Sequence, residues 1–136
     1  MKLQPDRIVG VNVIGGYTSD SVRIGERTWH HSLLLPWQGE ATAWRPANVD
    51  ELGVADFEAV AELEPELVLF GSGHALRFAH PALLRPLIER RIGVETMDTA
   101  AACRTYNLLV AEGRSVVAAL LLAPIQGVRK TPLAPL

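Results

Sequence analysis

Val116-Val117-Ala118-Ala119-Leu120-Leu121-Leu122 carries no polar side chain at any position. Successive side chains of a strand point to opposite faces, so a strand with one wet face alternates apolar and polar residues, and one without alternation is covered on both. This run is therefore expected in the middle of a sheet. A second run, Glu66-Leu67-Val68-Leu69-Phe70, is closed by Gly71-Ser72-Gly73 and reads the same way. Between the two, Pro81 opens an apolar stripe of Leu83, Leu84, Leu87 and Ile88 reaching Arg91, and Pro86 removes one internal hydrogen bond, so a kinked helix is expected. Ile92 to Met97 is a short strand. Thr99 is then placed to cap a helix whose Ala102, Cys103, Tyr106, Leu109 and Val110 share a face, and Gly113 ends it. Upstream, Phe57, Val60, Ala61 and Glu64 have helical spacing from residue 54 until Pro65.

The first third has the period of strands. Val11, Val13 and Gly15 alternate with Asn12, Ile14 and Gly16; Val22-Arg23-Ile24 follows, and a hairpin is expected at Gly25-Glu26. Arg27 to Leu35 reads as one strand, with Trp29, His31, Leu33 and Leu35 on one face; Pro36 ends it, and Glu40 to Trp44 forms a further short strand. The order is an antiparallel meander followed by strand-helix-strand-helix-strand. That is an α/β layout with a β-rich N-terminal layer, in one domain over residues 1–123, with 124–136 as a flexible Pro-containing tail. No internal repeat or linker divides it.

Composition narrows the function classes. The 136 residues are 49% apolar and 21% charged, ordinary for a single folded unit that needs no disulfide or metal for stability. Thirteen Lys and Arg against fifteen Asp and Glu give a net charge of −2, with no basic stretch to neutralise a row of phosphates, so nucleic acid is not the expected partner. The longest apolar run, Val116 to Ala123, is far short of the ~20 residues of a bilayer span, and no membrane insertion is expected. A lone cysteine, Cys103, fits a reducing compartment, and a cytoplasmic location is the expectation. A nearly neutral, apolar-rich chain also permits self-association.

The local feature closest to chemistry is Phe70-Gly71-Ser72-Gly73 at a strand end. Glycines let backbone N–H groups approach an anion ahead of a helix. The turn lacks the third glycine of a dinucleotide fingerprint and the Gly-Lys-Ser/Thr of a phosphate loop, so it is either a plain tight turn or a ligand-facing loop. The start of the 99–112 helix would lie beside it, and Arg104 carries a guanidinium able to grip a carboxylate or phosphate or to form a surface ion pair. Gly71, Ser72, Gly73, Thr99, Arg104 and Arg114 are the candidate ligand cleft.

Other constellations carry less. His30, His31, His74 and His80 have no spacing that converges on a metal. Ser72, His74 and Asp98 make no nucleophile elbow, since glycines do not stand two residues either side of Ser72. Cys103 lies on the apolar stripe and is read as a small core hydrophobe. Trp29, Trp37, Trp44 and Tyr17 gather in the N-terminal layer, either as core or, where exposed, as a protein-binding patch.

Two segments, Pro65-Glu66-Leu67-Val68-Leu69-Phe70-Gly71-Ser72-Gly73 and the stretch from Gly93-Val94-Glu95-Thr96-Met97-Asp98 through Thr99-Ala100-Ala101-Ala102-Cys103-Arg104-Thr105-Tyr106-Asn107 to Glu112-Gly113-Arg114, resemble the Mth-type domain of unknown function. The likeness runs over residues 10 to 123 and is densest over 93 to 122. The group takes in the adipogenesis-associated Mth-domain protein and, more distantly, a mitochondrial factor that helps assemble respiratory complex I. The resemblance implies a three-layer α/β fold with a central mixed sheet whose final strand lies centrally and runs against its neighbours. An antiparallel final strand would bring Arg114 to the cleft beside Gly71–Gly73 and Thr99. It implies no established enzymatic activity and points to an assembly or interaction role.

The expected function is thus non-enzymatic: a binding, assembly or accessory protein whose partner is another protein, with no catalytic residue, metal or cofactor assigned. The alternative is an anionic small-molecule site or weak enzyme at the glycine-turn cleft.

Overall fold

The computed structural model describes residues 10–123, and the tail expected over 124–136 lies outside them. β1 (Ile14–Tyr17), β2 (Val22–Ile24) and β3 (Arg27–Trp29) form an antiparallel three-stranded sheet in that order. Its second hairpin turns at Gly25-Glu26, as expected, with Ile24 opposite Arg27. Gly25 takes a φ of 62°, the left-handed value that two-residue hairpins favour. There follow β4 (Leu33–Pro36), β5 (Thr42–Ala43), α1 (Val54–Ala61), β6 (Leu67–Gly71), α2 (Arg85–Glu89), β7 (Gly93–Met97), α3 (Thr99–Ala111) and β8 (Val116–Leu120). The later strands make a five-stranded mixed sheet of order β5-β4-β8-β6-β7.

The centre of that sheet is the run without polar alternation. Every residue of β8 is buried, and its side chains divide by parity between two cores. Val117, Ala119 and Leu121 join Val68 and Phe70 of β6 under α1 and α2, with Phe57, Val60 and Leu87. Val116, Ala118, Leu120 and Leu122 join Leu69, the Ala102, Cys103, Tyr106 and Val110 stripe of α3, and Ile14, Val22 and Trp29 of the first sheet. The layers are helices α1 and α2, the mixed sheet, then α3 beside the three-stranded sheet. This is the expected three-layer α/β fold with an added N-terminal β layer. Gly113, at φ 82°, follows the end of α3 as anticipated.

Four local expectations are corrected. The single strand over Arg27 to Leu35 is two strands in different sheets, broken at His30-His31-Ser32. Buried Ser32 makes the break: its hydroxyl accepts from the Leu122 N–H at 2.9 Å, and its carbonyl accepts from the Trp44 N–H at 2.9 Å. Side-chain parity nevertheless survives, since Trp29, Leu33 and Leu35 enter the same core while His31 stays exposed. The kinked helix is a 3-10 turn over Pro81–Leu84 leading into α2. Pro86 falls in the first turn of α2, where a missing N–H breaks no helical bond, and Ile88 is exposed instead of continuing the stripe. Thr99 is not the cap of α3; Asp98 is, its Oδ1 accepting from the Ala101 N–H at 2.9 Å.

The fourth correction concerns direction. β8 runs antiparallel to β4 but parallel to β6, with Val116 beside Leu67 and Leu120 beside Gly71. It therefore does not run against both neighbours, and its first residues lie at the amino end of β6.

Candidate functional site

The turn after β6 and the tip of α3 do meet, and the chain folds there around hydroxyl and backbone groups. Gly71 ends β6 where a Cβ would sit 3.0 Å from Leu120 Cδ2, from Thr99 Cα and from Thr99 Oγ1, so a side chain there would force Leu120 or Thr99 to give way. The Leu121 N–H donates to the Gly71 carbonyl at 3.0 Å and the Ser72 N–H to the Met97 carbonyl at 2.9 Å. Gly73, at φ 108°, turns the chain so that its N–H donates to Thr99 Oγ1 at 2.9 Å while its carbonyl accepts from the Thr99 N–H at 2.9 Å. The Thr99 hydroxyl donates in turn to the Leu121 carbonyl at 2.9 Å. Ser72, only 5% exposed, donates its hydroxyl to the Ala75 carbonyl at 2.7 Å and accepts from the Arg77 N–H at 3.0 Å.

These bonds occupy most of the donors an anion would need, the Ala100 amide at the depression excepted. The amides of Ser72, Gly73, Thr99, Ala101 and Ala102 all have protein acceptors, those of Ala101 and Ala102 being Asp98 Oδ1 and the Asp98 carbonyl. The Asp98 carboxylate also sets a negative charge at the helix tip, where an anion would bind. What remains open is a depression of about 100 Å³ between this tip and the β1–β2 turn, lined by Thr18, Ser19, Gly73, His74, Asp98, Thr99 and Ala100. Gly71, Ser72, Gly73 and Thr99 are thus brought together as expected, but as a close-packed joint.

The two arginines stand elsewhere. Arg104 is exposed on α3, and its guanidinium donates to the Tyr17 hydroxyl at 3.1 Å; that bond raises its pKa. It ties α3 to β1 and does not line the depression. Arg114 is at the opposite end of the sheet because β8 runs parallel to β6, and its Nε donates to Glu66 Oε1 at 3.0 Å. The second Glu66 oxygen accepts from the Ser115 N–H at 2.8 Å. That backbone bond first, and the Arg114 guanidinium second, hold the Glu66 carboxyl below its ordinary range. Arg114 therefore makes a surface ion pair with Glu66, away from the cleft expected for it.

Among the described residues no three His, Cys, Asp or Glu side chains converge as metal ligands. His31 packs edge-on to Trp29 with ring centroids 5.3 Å apart, His80 Nδ1 accepts from the Ala82 N–H at 3.1 Å, and His74 Nε2 lies 3.7 Å from Asp20 Oδ1. Burial pushes the Cys103 thiol up to about 12, the state of an inert core sulfur. Tyr106 is buried too, and its hydroxyl donates to the Asn12 carbonyl at 2.9 Å. Trp29 and Trp44 are core: Trp44 stacks edge-to-face on Phe57 and Phe70 at 5.8 and 6.2 Å.

Large apolar residues reach water at several places, among them Val13, Ile88 and Leu108, and two of them stand together where the sequence showed only a loop. Phe78 is 70% exposed and Leu76 53% exposed on the segment from Ser72 to His80, which Arg77 anchors through a 2.9 Å bond to Asp50. Neighbouring Ala79 enters the core beneath α1 and α2. The one available signal was two large apolar residues in a glycine-led loop with no period to bury them.

Comparison with known proteins agrees with this fold. The family model described as "Protein of unknown function (DUF498/DUF598)" matches residues 14–121. A mouse protein named NADH dehydrogenase [ubiquinone] 1 alpha subcomplex assembly factor 3 is 34% identical over 114 residues, 82% of this chain. The chain spans 60% of the length of that relative. A crystal structure of a Bordetella parapertussis protein superposes with a TM-score of 0.79 at 32% identity, covering 85% of this chain and 99% of that one. A solution structure from Bordetella pertussis, described as a Mth938-like domain, superposes with a TM-score of 0.74 at 26% identity, covering 91% and 94%.

Proposed function

We propose, starting from the fact that this chain belongs to the DUF498/DUF598 family of proteins of unknown function, that it is a non-enzymatic accessory module which binds another protein during assembly of a larger complex. The mouse relative is named for assembly of NADH dehydrogenase, and the same kind of work is the reading transferred here. The observation that carries it is the close-packed joint: most of the groups placed to hold a small anion, at Gly73 and the tip of α3, bond to one another. Recognition then falls to outer surfaces, and Leu76 and Phe78 supply apolar area in the open. Among the described residues no helix is long and apolar enough to cross a membrane. A cytoplasmic site of action belongs to the same proposal.

Thermal unfolding with inorganic phosphate, ATP and citrate tests it. A ligand at 100 times its Kd would add about 2.7 kcal/mol to stability. The expected result is an unmoved midpoint with all three, together with a stoichiometric protein complex that Leu76→Asp and Phe78→Asp both disrupt. A midpoint raised by one anion would replace this reading with the small-molecule one.

A further inference from the structure

The mixed sheet has two edges, and they differ. β5, at one edge, is Thr42–Ala43 alone, whereas β7, at the other, is the five-residue strand Gly93–Met97. Among the described residues β7 pairs with β6 alone, in parallel. The Gly93 N–H donates to the Glu66 carbonyl and the Met97 carbonyl accepts from the Ser72 N–H, so residues 93, 95 and 97 direct their backbone groups inward to β6. Alternation turns the N–H and C=O of Val94 and Thr96 outward, and none of the described hydrogen bonds ends on them. Four backbone groups thus stand in a row at the sheet border, spaced as a template for one more strand.

The charge on this edge selects among occupants. Glu95 is exposed between the two outward-facing residues. A second copy using all four groups must pair antiparallel, Val94 with Thr96 and Thr96 with Val94, about a two-fold axis on Glu95. That register sets two Glu95 carboxylates directly opposite each other, at the closest cross-strand approach, which is unfavourable. A foreign strand with a cation in that place meets no such repulsion.

We infer that β7 is a strand-addition edge for a partner protein, accepting an extended segment that hydrogen-bonds to Val94 and Thr96 and sets a Lys or Arg opposite Glu95. The inference rests on the protein-binding reading above and adds how the partner is held. Val94 packs against the core beneath α1 and α2, so the template is seated on the body of the sheet.

Amide hydrogen exchange of the full chain, read by NMR with two end-blocked nine-residue peptides, tests it. Both peptides alternate Val and Thr with a charged residue, Lys in one and Glu in the other. The Lys peptide should slow exchange at the Val94 and Thr96 amides at least about tenfold, as a newly bonded edge requires, and the Glu peptide should not. Glu95→Lys should reverse that preference, and Thr96→Pro should abolish protection; the first variant decides if the second fails to fold. The inference is overturned if neither peptide protects these amides, if protection arises elsewhere, or if Glu95→Lys leaves the preference unchanged. It is equally overturned if protection rises with protein concentration alone, which would make the occupant a second copy. Such failures leave a partner docked on Leu76 and Phe78 intact, whereas an anion that raises the melting midpoint breaks the protein-binding reading and leaves the edge unaffected.

Discussion

At the carboxyl end of β6, Gly71 admits Thr99 so closely that a methyl between them would force a neighbour to shift, whereas at its amino end Glu66 and Arg114 meet as a half-exposed ion pair. Both ends close a gap between β6 and a neighbouring element. The first uses neutral groups removed from water: Thr99 is 7% exposed, and its hydroxyl serves the Leu121 carbonyl and the Gly73 N–H. The second uses charges that water screens, so its pair adds little to stability at neutral pH and responds to acidity instead. The comparison teaches that the strand-end turn resembling an anion site is the mechanical joint of the fold, and that its missing cation sits at the far end of the sheet.

Breaking the joint should have the largest effect. Thr99→Val keeps the volume but strips the partner from the Leu121 carbonyl and from the Gly73 N–H, each unmet group costing about 1–3 kcal/mol. A loss near 3 kcal/mol in urea unfolding is expected, and a loss below about 1 kcal/mol would mean that water replaces the hydroxyl. Gly71→Ala comes next. Its methyl meets Thr99 and Leu120 at 3.0 Å, and overpacking of this kind costs about 2 kcal/mol. An unchanged midpoint would show that α3 can shift away from β6.

The smallest effect belongs to the ion pair. The folded Glu66 carboxyl titrates below its ordinary value of 4.5, so its contribution is complete above that pH and fades as pH falls through the lowered folded value. Glu66→Gln should therefore trail the natural chain in stability at pH 7 and approach it as pH falls below 4.5 and through the lowered folded value. A gap of constant size across that range would assign Glu66 a role unrelated to its charge.

Much of the fold was legible because burial leaves a local record. The absence of polar residues over Val116–Leu122 located the central strand, and the three-and-four spacing from Ala102 to Val110 located the buried face of α3. Turn chemistry worked where glycine had to adopt positive φ, at Gly25, Gly73 and Gly113. The break at His30-His31-Ser32 was invisible, because the alternation from Trp29 to Leu35 continues through it and the bond that bends the chain comes from Leu122. The site was legible in its backbone members but not in its two arginines or in its state. Gly71, Ser72, Gly73 and Thr99 do meet, yet the sequence could not show that their donors are occupied, nor that Arg104 leans to Tyr17.

What the chain determined alone was which segments are enclosed and where they turn, since apolar burial and backbone φ depend on the residue and its near neighbours. Tertiary structure decided the direction of β8, and with it the end of the sheet that receives Arg114. A uniformly apolar strand buries equal area whichever way it runs, so hydrophobicity cannot choose. Hydrogen bonds between groups 22, 26 and 90 residues apart, such as Thr99 with Leu121, Gly73 with Thr99 and Ser32 with Leu122, exist only once the topology has brought them together.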